Sequence, residues 1–318
     1  MCNRVSFRSV TTAKDQTEMF ENFTKDVKRV NGVRINYVSG GRGEAVLLLH
    51  GYPQSLVLWH KIAPKLAEKY AVIAPDLRGY GESEKPTTDS DDSTLYNKRV
   101  MAKDMVCLMD ELGIEKFHVV GHDRGVRVGH RLALDHPGRV KSLTSLDVKP
   151  TLEAFDEMDS DLAFAFFHWN LMRQPYPLPE TMIGNSAEAY FDFLMERWCA
   201  TPGAITPEAY EIYKRQFCNP ETIHGTCSDY RAVSLDREHD RVDQGQKLEC
   251  PVLLLWGANT KKRPGWQSGK ATSMLDTWRT RAHSVEGRAL DCGHFIPEEA
   301  PEELLAELQA FFAKSASR

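Results

Sequence analysis

The feature that most constrains this chain is the string Phe117-His118-Val119-Val120-Gly121-His122-Asp123-Arg124-Gly125. An apolar run closes there in a small-x-acid-x-small pattern and passes directly into a helix-forming stretch. That is the spacing of a nucleophile elbow. The strand-to-helix turn is so sharp that its flanking positions must be small, and it lifts the central side chain above the sheet beside a helix N-terminus. The central residue is Asp, not Ser. A carboxylate at such a point can attack a saturated carbon and form an alkyl ester with the protein, splitting one hard displacement into two easier steps. The competing reading is that Asp123 caps the helix, a common use of Asp.

Two other segments sit where strands end. His50-Gly51-Tyr52-Pro53 follows the apolar run 45–49, so the backbone N–H of Tyr52 can pair with that of Arg124 as an oxyanion hole. Asp291-Cys292-Gly293-His294-Phe295 precedes the last helix and puts His294 where a general base is needed; Cys292 reads as a small packing residue. Such a base needs a buried carboxylate to hold its tautomer and stabilise its charge. The strand 251–256 ends in Trp256-Gly257-Ala258-Asn259-Thr260 with no acid, whereas Leu143-Thr144-Ser145-Leu146-Asp147 supplies one. Asp147 is therefore the partner, against the alternative that it caps the next helix.

Around these points, apolar runs at 33–38, 45–49, 71–74, 116–120 and 143–147 alternate with amphipathic stretches such as 98–112 and 124–136, a parallel α/β rhythm. From 151 to 247 the pattern changes to aromatics, prolines and helical pieces, including Gln174-Pro175-Tyr176-Pro177-Leu178-Pro179. Strand-like runs return at 251–256 and near 288–290, and a helix at 301–313 closes the chain. The expected organisation is an extension over 1–25, a core from 26–150 and 248–318, and an inserted helical cap over 151–247.

With these residues assembled, the sequence resembles the α/β-hydrolase superfamily and, within it, the haloacetate dehalogenases, the group that includes fluoroacetate dehalogenase. The likeness covers about residues 25–315. It rests on His50-Gly51-Tyr52-Pro53, Gly121-His122-Asp123-Arg124-Gly125-Val126-Arg127, Leu146-Asp147, Phe167-His168-Trp169, Gln174 to Glu180, Asp229-Tyr230-Arg231 and Gly293-His294-Phe295. It implies a mostly parallel eight-stranded sheet flanked by helices, with a helical cap. It also implies Asp123 as nucleophile, His294 as base and Asp147 as its partner. Arg124 and Arg127 become the clamp for a substrate carboxylate, and His168, Trp169 and Tyr230 the cradle for a departing halide.

The residues read alone are compatible with those roles. Arg124 and Arg127 are three apart at a helix start, so they share a face and can fork onto a small carboxylate; an ordinary salt-bridged face is the alternative. Indole, imidazole and phenol groups are the donors that a departing anion needs in a dry site. Two other functions stay open. An epoxide hydrolase would use the same Asp and His with two cap tyrosines, for which Tyr230 and Tyr176 are the candidates. A non-catalytic receptor would keep the fold and lack turnover.

Composition narrows the partners. Forty Lys and Arg against 45 Asp and Glu leave a net charge of −5, which offers nucleic acid or an anionic membrane no attractive field. No apolar run approaches the roughly 20 residues of a membrane span. Seven cysteines, an odd number without metal-ligand spacing, read as reduced thiols of a cytoplasmic protein. A basic, acid-free stretch over 1–14 faintly resembles an organellar leader. The expected partner is a small haloacid, with a homodimer as candidate assembly, and no metal or organic cofactor is implied.

Overall fold

A computed structural model describes residues 16–87, 94–259 and 273–316. The leader-like stretch and all but the first residue of the basic loop 259–270 lie outside them. Eight strands form one sheet: β1 (Thr24–Val30), β2 (Val33–Gly40), β3 (Ala45–Leu49), β4 (Ala71–Pro75), β5 (Phe117–His122), β6 (Val140–Leu146), β7 (Val252–Gly257) and β8 (Val285–Leu290). Their order is β1-β2-β4-β3-β5-β6-β7-β8. The pairs β1–β2 and β2–β4 are antiparallel, and the others are parallel.

Strand chemistry follows position in the sheet. The central β3, Ala-Val-Leu-Leu-Leu, is buried at every residue, as a strand covered by helices on both faces must be. The edge β1 exposes Asp26 and Arg29 beside half-buried Lys25 and Lys28, and the edge β8 alternates exposed Glu286 and Arg288 with more covered residues, which discourages pairing with another chain. The β1–β2 hairpin turns on Asn31-Gly32, both at positive φ, the usual chemistry of a two-residue turn.

The expected extension is corrected here. Strand β1 starts at Thr24, and before it Gln16, Phe20 and Phe23 are already buried, with Gln216 donating to the Gln16 side chain at 2.9 Å. The folded body thus includes residues 16–25. Between β6 and β7, eight helices run from Thr151–Asp156 to Val233–Val242 with no strand. Their apolar residues, among them Trp169, Met172, Phe191 and Tyr213, are continuous with the core beneath the sheet. Among the described residues no helix is long and apolar enough to cross a membrane.

The chain runs from β3 outward to β4, then returns to place β5 on the other side of β3. At such a reversal the connections leave in opposite directions and a crevice opens at the strands' carboxyl ends.

Candidate active site

Asp123 stands in that crevice. It follows β5 at φ +47°, a backbone state that non-glycine residues adopt only when the surroundings enforce it. The enforcing contacts are close. A Cβ on Gly121 would lie 2.7 Å from the Val126 backbone, and one on Gly125 would lie 2.2 Å from Leu49 O, so both flanking positions exclude a side chain. The helix Arg124–Asp135 begins with no side-chain cap from Asp123, so the capping alternative is not realised. Instead Oδ1 accepts the Tyr52 N–H at 2.9 Å. His50 fixes that loop by accepting the Leu77 N–H at Nε2, 3.0 Å away, which leaves Nδ1 to donate to Gly51 O at 3.1 Å.

On the other side, Asp147 follows β6 at φ +61°. Its Oδ1 accepts the Gly257 N–H at 3.0 Å, and its Oδ2 takes His294 Nδ1 at 2.7 Å. The first cap helix starts from Pro150 without a side-chain cap, so Asp147 is not used there. With Nδ1 committed as donor, Nε2 carries the lone pair, and it lies 4.0 Å from Asp123 Oδ2. The Asp123 carboxylate is thereby divided, one oxygen on a backbone N–H and the other facing the imidazole. Burial works to raise its pKa, but the neighbouring His294, His122 and Arg124 side chains, with the Tyr52 N–H, outweigh it and hold the carboxyl below its ordinary range. It is ionised at neutral pH.

The two arginines expected to clamp a carboxylate differ in their surroundings. Arg124 is spoken for: Nε donates to Asp229 Oδ2 at 2.9 Å, and Nη2 to Asp229 Oδ1 and O at 2.7 and 2.9 Å. Asp229 also accepts Tyr80 Oη at 2.6 Å and the Lys98 ammonium. Arg127, only 3% exposed, makes no hydrogen bond to the described residues through Nε or Nη1. Burial, then the neighbouring Arg124 charge, pushes its pKa down to about 10. A buried guanidinium with unsatisfied donors is costly unless an anion meets it. Its carbon lies 5.2 Å from the Trp169 ring.

The cap covers this floor with stacked rings. His168 lies parallel to Tyr52 at 6.0 Å between centroids, and Tyr230 stands edge-on to both. Trp169 is sandwiched between Phe155 and Phe166, each 4.8 Å away. Among the described residues His168 Nδ1 has no hydrogen-bond partner, and burial lowers the His168 pKa to about 3, so the ring is a neutral donor. Burial drives the Tyr230 phenol well above 10, so it keeps its proton. Tyr176, the second tyrosine of the epoxide reading, is 55% exposed and packs on His224. Tyr230, by contrast, is buried.

Several participants had gone unassigned. His122 Nε2 donates to His294 O at 2.8 Å, and burial lowers its pKa to about 3. Trp198 accepts the His294 N–H and sets its indole edge-on to the base, 5.6 Å away. His122 and Asp229 stand inside strings that were read for their neighbours. Lys98 carries no local signal, because its partner lies 131 positions along the chain. Among the described residues no cluster of His, Cys, Asp and Glu could hold a metal ion.

Comparison with known proteins agrees with this architecture. The alpha/beta hydrolase fold family model matches residues 44–301. The chain is 41% identical over 304 residues to a fluoroacetate dehalogenase of Burkholderia sp, covering 94% of this chain and 97% of the relative. It is 33% identical over 295 residues to a soluble epoxide hydrolase of Corynebacterium sp. (strain C12), covering 89% and 95%. A crystal structure of an alpha/beta hydrolase from Nostoc sp PCC 7120 superposes with a TM-score of 0.87 at 48% identity, covering 92% of this chain and 98% of that one.

Proposed function

The chain is an enzyme of the alpha/beta hydrolase fold family, and from that premise we propose that it hydrolyses short haloacids such as fluoroacetate and chloroacetate to glycolate and halide through an ester on Asp123. The observation that supports this reading most is Arg127, a buried guanidinium beside Asp123 whose Nε and Nη1 meet no acceptor among the described residues. A substrate carboxylate supplies the missing partner. An epoxide carries no anion to match the guanidinium, and its opening calls for a second proton donor, whereas Tyr176 is 55% exposed.

In the first step Asp123 Oδ2 attacks the carbon that bears the halogen. The carbon–oxygen bond forms as the carbon–halogen bond breaks, and the halide leaves toward His168, Trp169 and Tyr230. Arg127, with the remaining donor capacity of Arg124, holds the acid so that this carbon lies in line between nucleophile and leaving group. In the second step a water between His294 and the ester attacks the Asp123 carbonyl carbon and gives a proton to Nε2. The developing oxyanion is Oδ1, already on the Tyr52 N–H. Collapse breaks the bond from Cγ to the oxygen that made the first attack, and His294 returns the proton to the departing glycolate oxygen. Asp147 stabilises the imidazolium throughout. The balance is haloacetate plus water giving glycolate, halide and a proton.

The test is a single turnover in ¹⁸O-labelled water. Label is expected in the aspartate carboxylate and not in the first glycolate formed; label wholly in that glycolate would sink the covalent route. Run beside it, efficient styrene oxide hydrolysis with no halide release from any haloacetate would put epoxide opening in its place.

A further inference from the structure

Five residues beyond the base, Glu299 ends the one-turn helix Ile296–Glu299, half-buried. Its carboxylate accepts four backbone N–H groups from two separate parts of the molecule. Oε2 takes those of Gly293 at 2.9 Å, Ala200 at 2.8 Å and Thr201 at 2.9 Å, and Oε1 takes that of Phe295 at 3.0 Å. Gly293 and Phe295 bracket His294. Ala200 and Thr201 belong to the cap, just past the helix Ala187–Trp198. The two segments also touch directly. His294 donates its N–H to Trp198 O at 3.0 Å, and a Cβ on Gly293 would lie 2.6 Å from Trp198 O.

We propose that Glu299 is a positioning residue that fastens the turn carrying the base His294 to cap residues 198–201, so that the base keeps its aim at the Asp123 ester beneath Trp198. Asp147 sets the rotation of the imidazole, but it does not set the height of the turn from which the ring projects. That height is decided where backbone meets backbone, and four like-pointing N–H dipoles converge on a space that only an anion fills well. Ionised acceptors make the stronger hydrogen bonds. Removing this one leaves four amides to find other partners or go without, and shifts of about 1 Å in a reacting group can cost on the order of 10²-fold in rate.

This inference rests on the two-step ester route, and that route gives it a specific signature. The base acts only in the second step, so a misplaced His294 slows ester hydrolysis and spares alkylation. The experiment is rapid quench with chloroacetate, reading halide burst and carboxymethyl adduct by intact mass, on the parent, Glu299→Ala, Glu299→Gln and, as reference, His294→Asn. Expected for Glu299→Ala is alkylation within about threefold of the parent and hydrolysis slower by about tenfold or more, with adduct accumulating. Glu299→Gln keeps one oxygen for the three donors at the Oε2 position and turns an amide NH₂ toward Phe295, so it should fall between. Equal slowing of both steps, or no accumulation in either Glu299 variant while His294→Asn accumulates adduct, overturns the proposal. If Glu299→Ala fails to fold, Glu299→Gln decides alone, and unchanged hydrolysis in it is the overturning result. Absence of adduct in His294→Asn as well would strike the two-step route itself.

Discussion

The floor and the roof of the site are built by different means. On the floor, backbone groups at the ends of β3 and β7 hold the acids: Tyr52 N–H on Asp123 and Gly257 N–H on Asp147, with His294 bridging the pair. The roof is ring on ring, with Trp169 between two phenylalanines and His168 along Tyr52. Its His168 Nδ1, like Arg127 Nε and Nη1 nearby, has no partner among the described residues. The difference separates two tasks. On the proposed reading, the groups assigned the covalent steps are tied to main chain, which keeps the electrostatic arrangement in place before reaction. The roof groups assigned to the halide are set by ring packing, which leaves His168 Nδ1 without a partner among the described residues.

The hardest way to break the comparison is at the nucleophile. Asp123→Asn should lower halide release from chloroacetate by on the order of 10⁴-fold or more while the fold survives, since a neutral amide is a far weaker nucleophile than a carboxylate. A loss under tenfold, with the deamidated residue excluded by mass, would move the chemistry off the floor.

The roof is tested next by Trp169→Phe, which keeps an aromatic ring between Phe155 and Phe166 and removes the indole N–H with the rest of the fused five-membered ring. Fluoride, with its concentrated charge, depends most on donors in the transition state. Fluoroacetate turnover should fall by about 10²-fold, as for an oxyanion-hole donor, and bromoacetate by much less. Equal losses would reduce Trp169 to packing.

The arginines sharpen the contrast within one helix face. Arg127→Leu should cost haloacetate about tenfold to a hundredfold in kcat/KM, from charge-assisted bonds of roughly 1.5–3 kcal/mol each, and haloacetamide far less. Its stability, read as Tm, should hold or rise, because a buried charge without a protein acceptor is removed. Arg124→Leu should lower Tm instead, since it breaks the buried pair with Asp229 at a cost of about 3–5 kcal/mol. Similar Tm changes in the two variants would erase the distinction.

The smallest effect is in pH. With the Arg127 pKa pushed down to about 10, the guanidinium is charged below that pH and loses its charge above it. Haloacetate kcat/KM should therefore fall as pH rises through about 10, and the haloacetamide profile should lack that limb. The Tyr230 phenol, driven higher by burial, keeps its proton through the same window. Arg127→Lys should move the limb to lower pH; an unmoved limb would assign it to another group.

Much of the floor was legible in the sequence because its signals are local. The elbow needs small residues within two positions of Asp123, and Gly121 and Gly125 show the steric reason. The central strands were readable because burial on both faces forces continuous apolar runs. Strand β1 was missed because an edge strand with one wet face has mixed composition, although Asn31-Gly32 was a hairpin signal in plain view. The roof was weaker ground. Aromatics at cap positions look the same whether they pack or donate, and the resemblance, not spacing, singled out His168, Trp169 and Tyr230.

What the sequence determined by itself is the frame: a parallel sheet, an acid at its elbow, a histidine before the last helix and a helical insertion between strands. Each follows from residues near one another in the chain, where backbone sterics and periodicity act. What only the tertiary structure decided is how the charges divide. Asp229 is 105 residues from Arg124 and 131 from Lys98, yet it occupies one arginine of the pair and leaves the other without a protein acceptor. Glu299 reaches 99 residues back to Ala200. Which charged groups neutralise each other depends on distances across the folded interior, where low polarity makes an ion pair matter most, and such distances are set by packing, not by sequence separation.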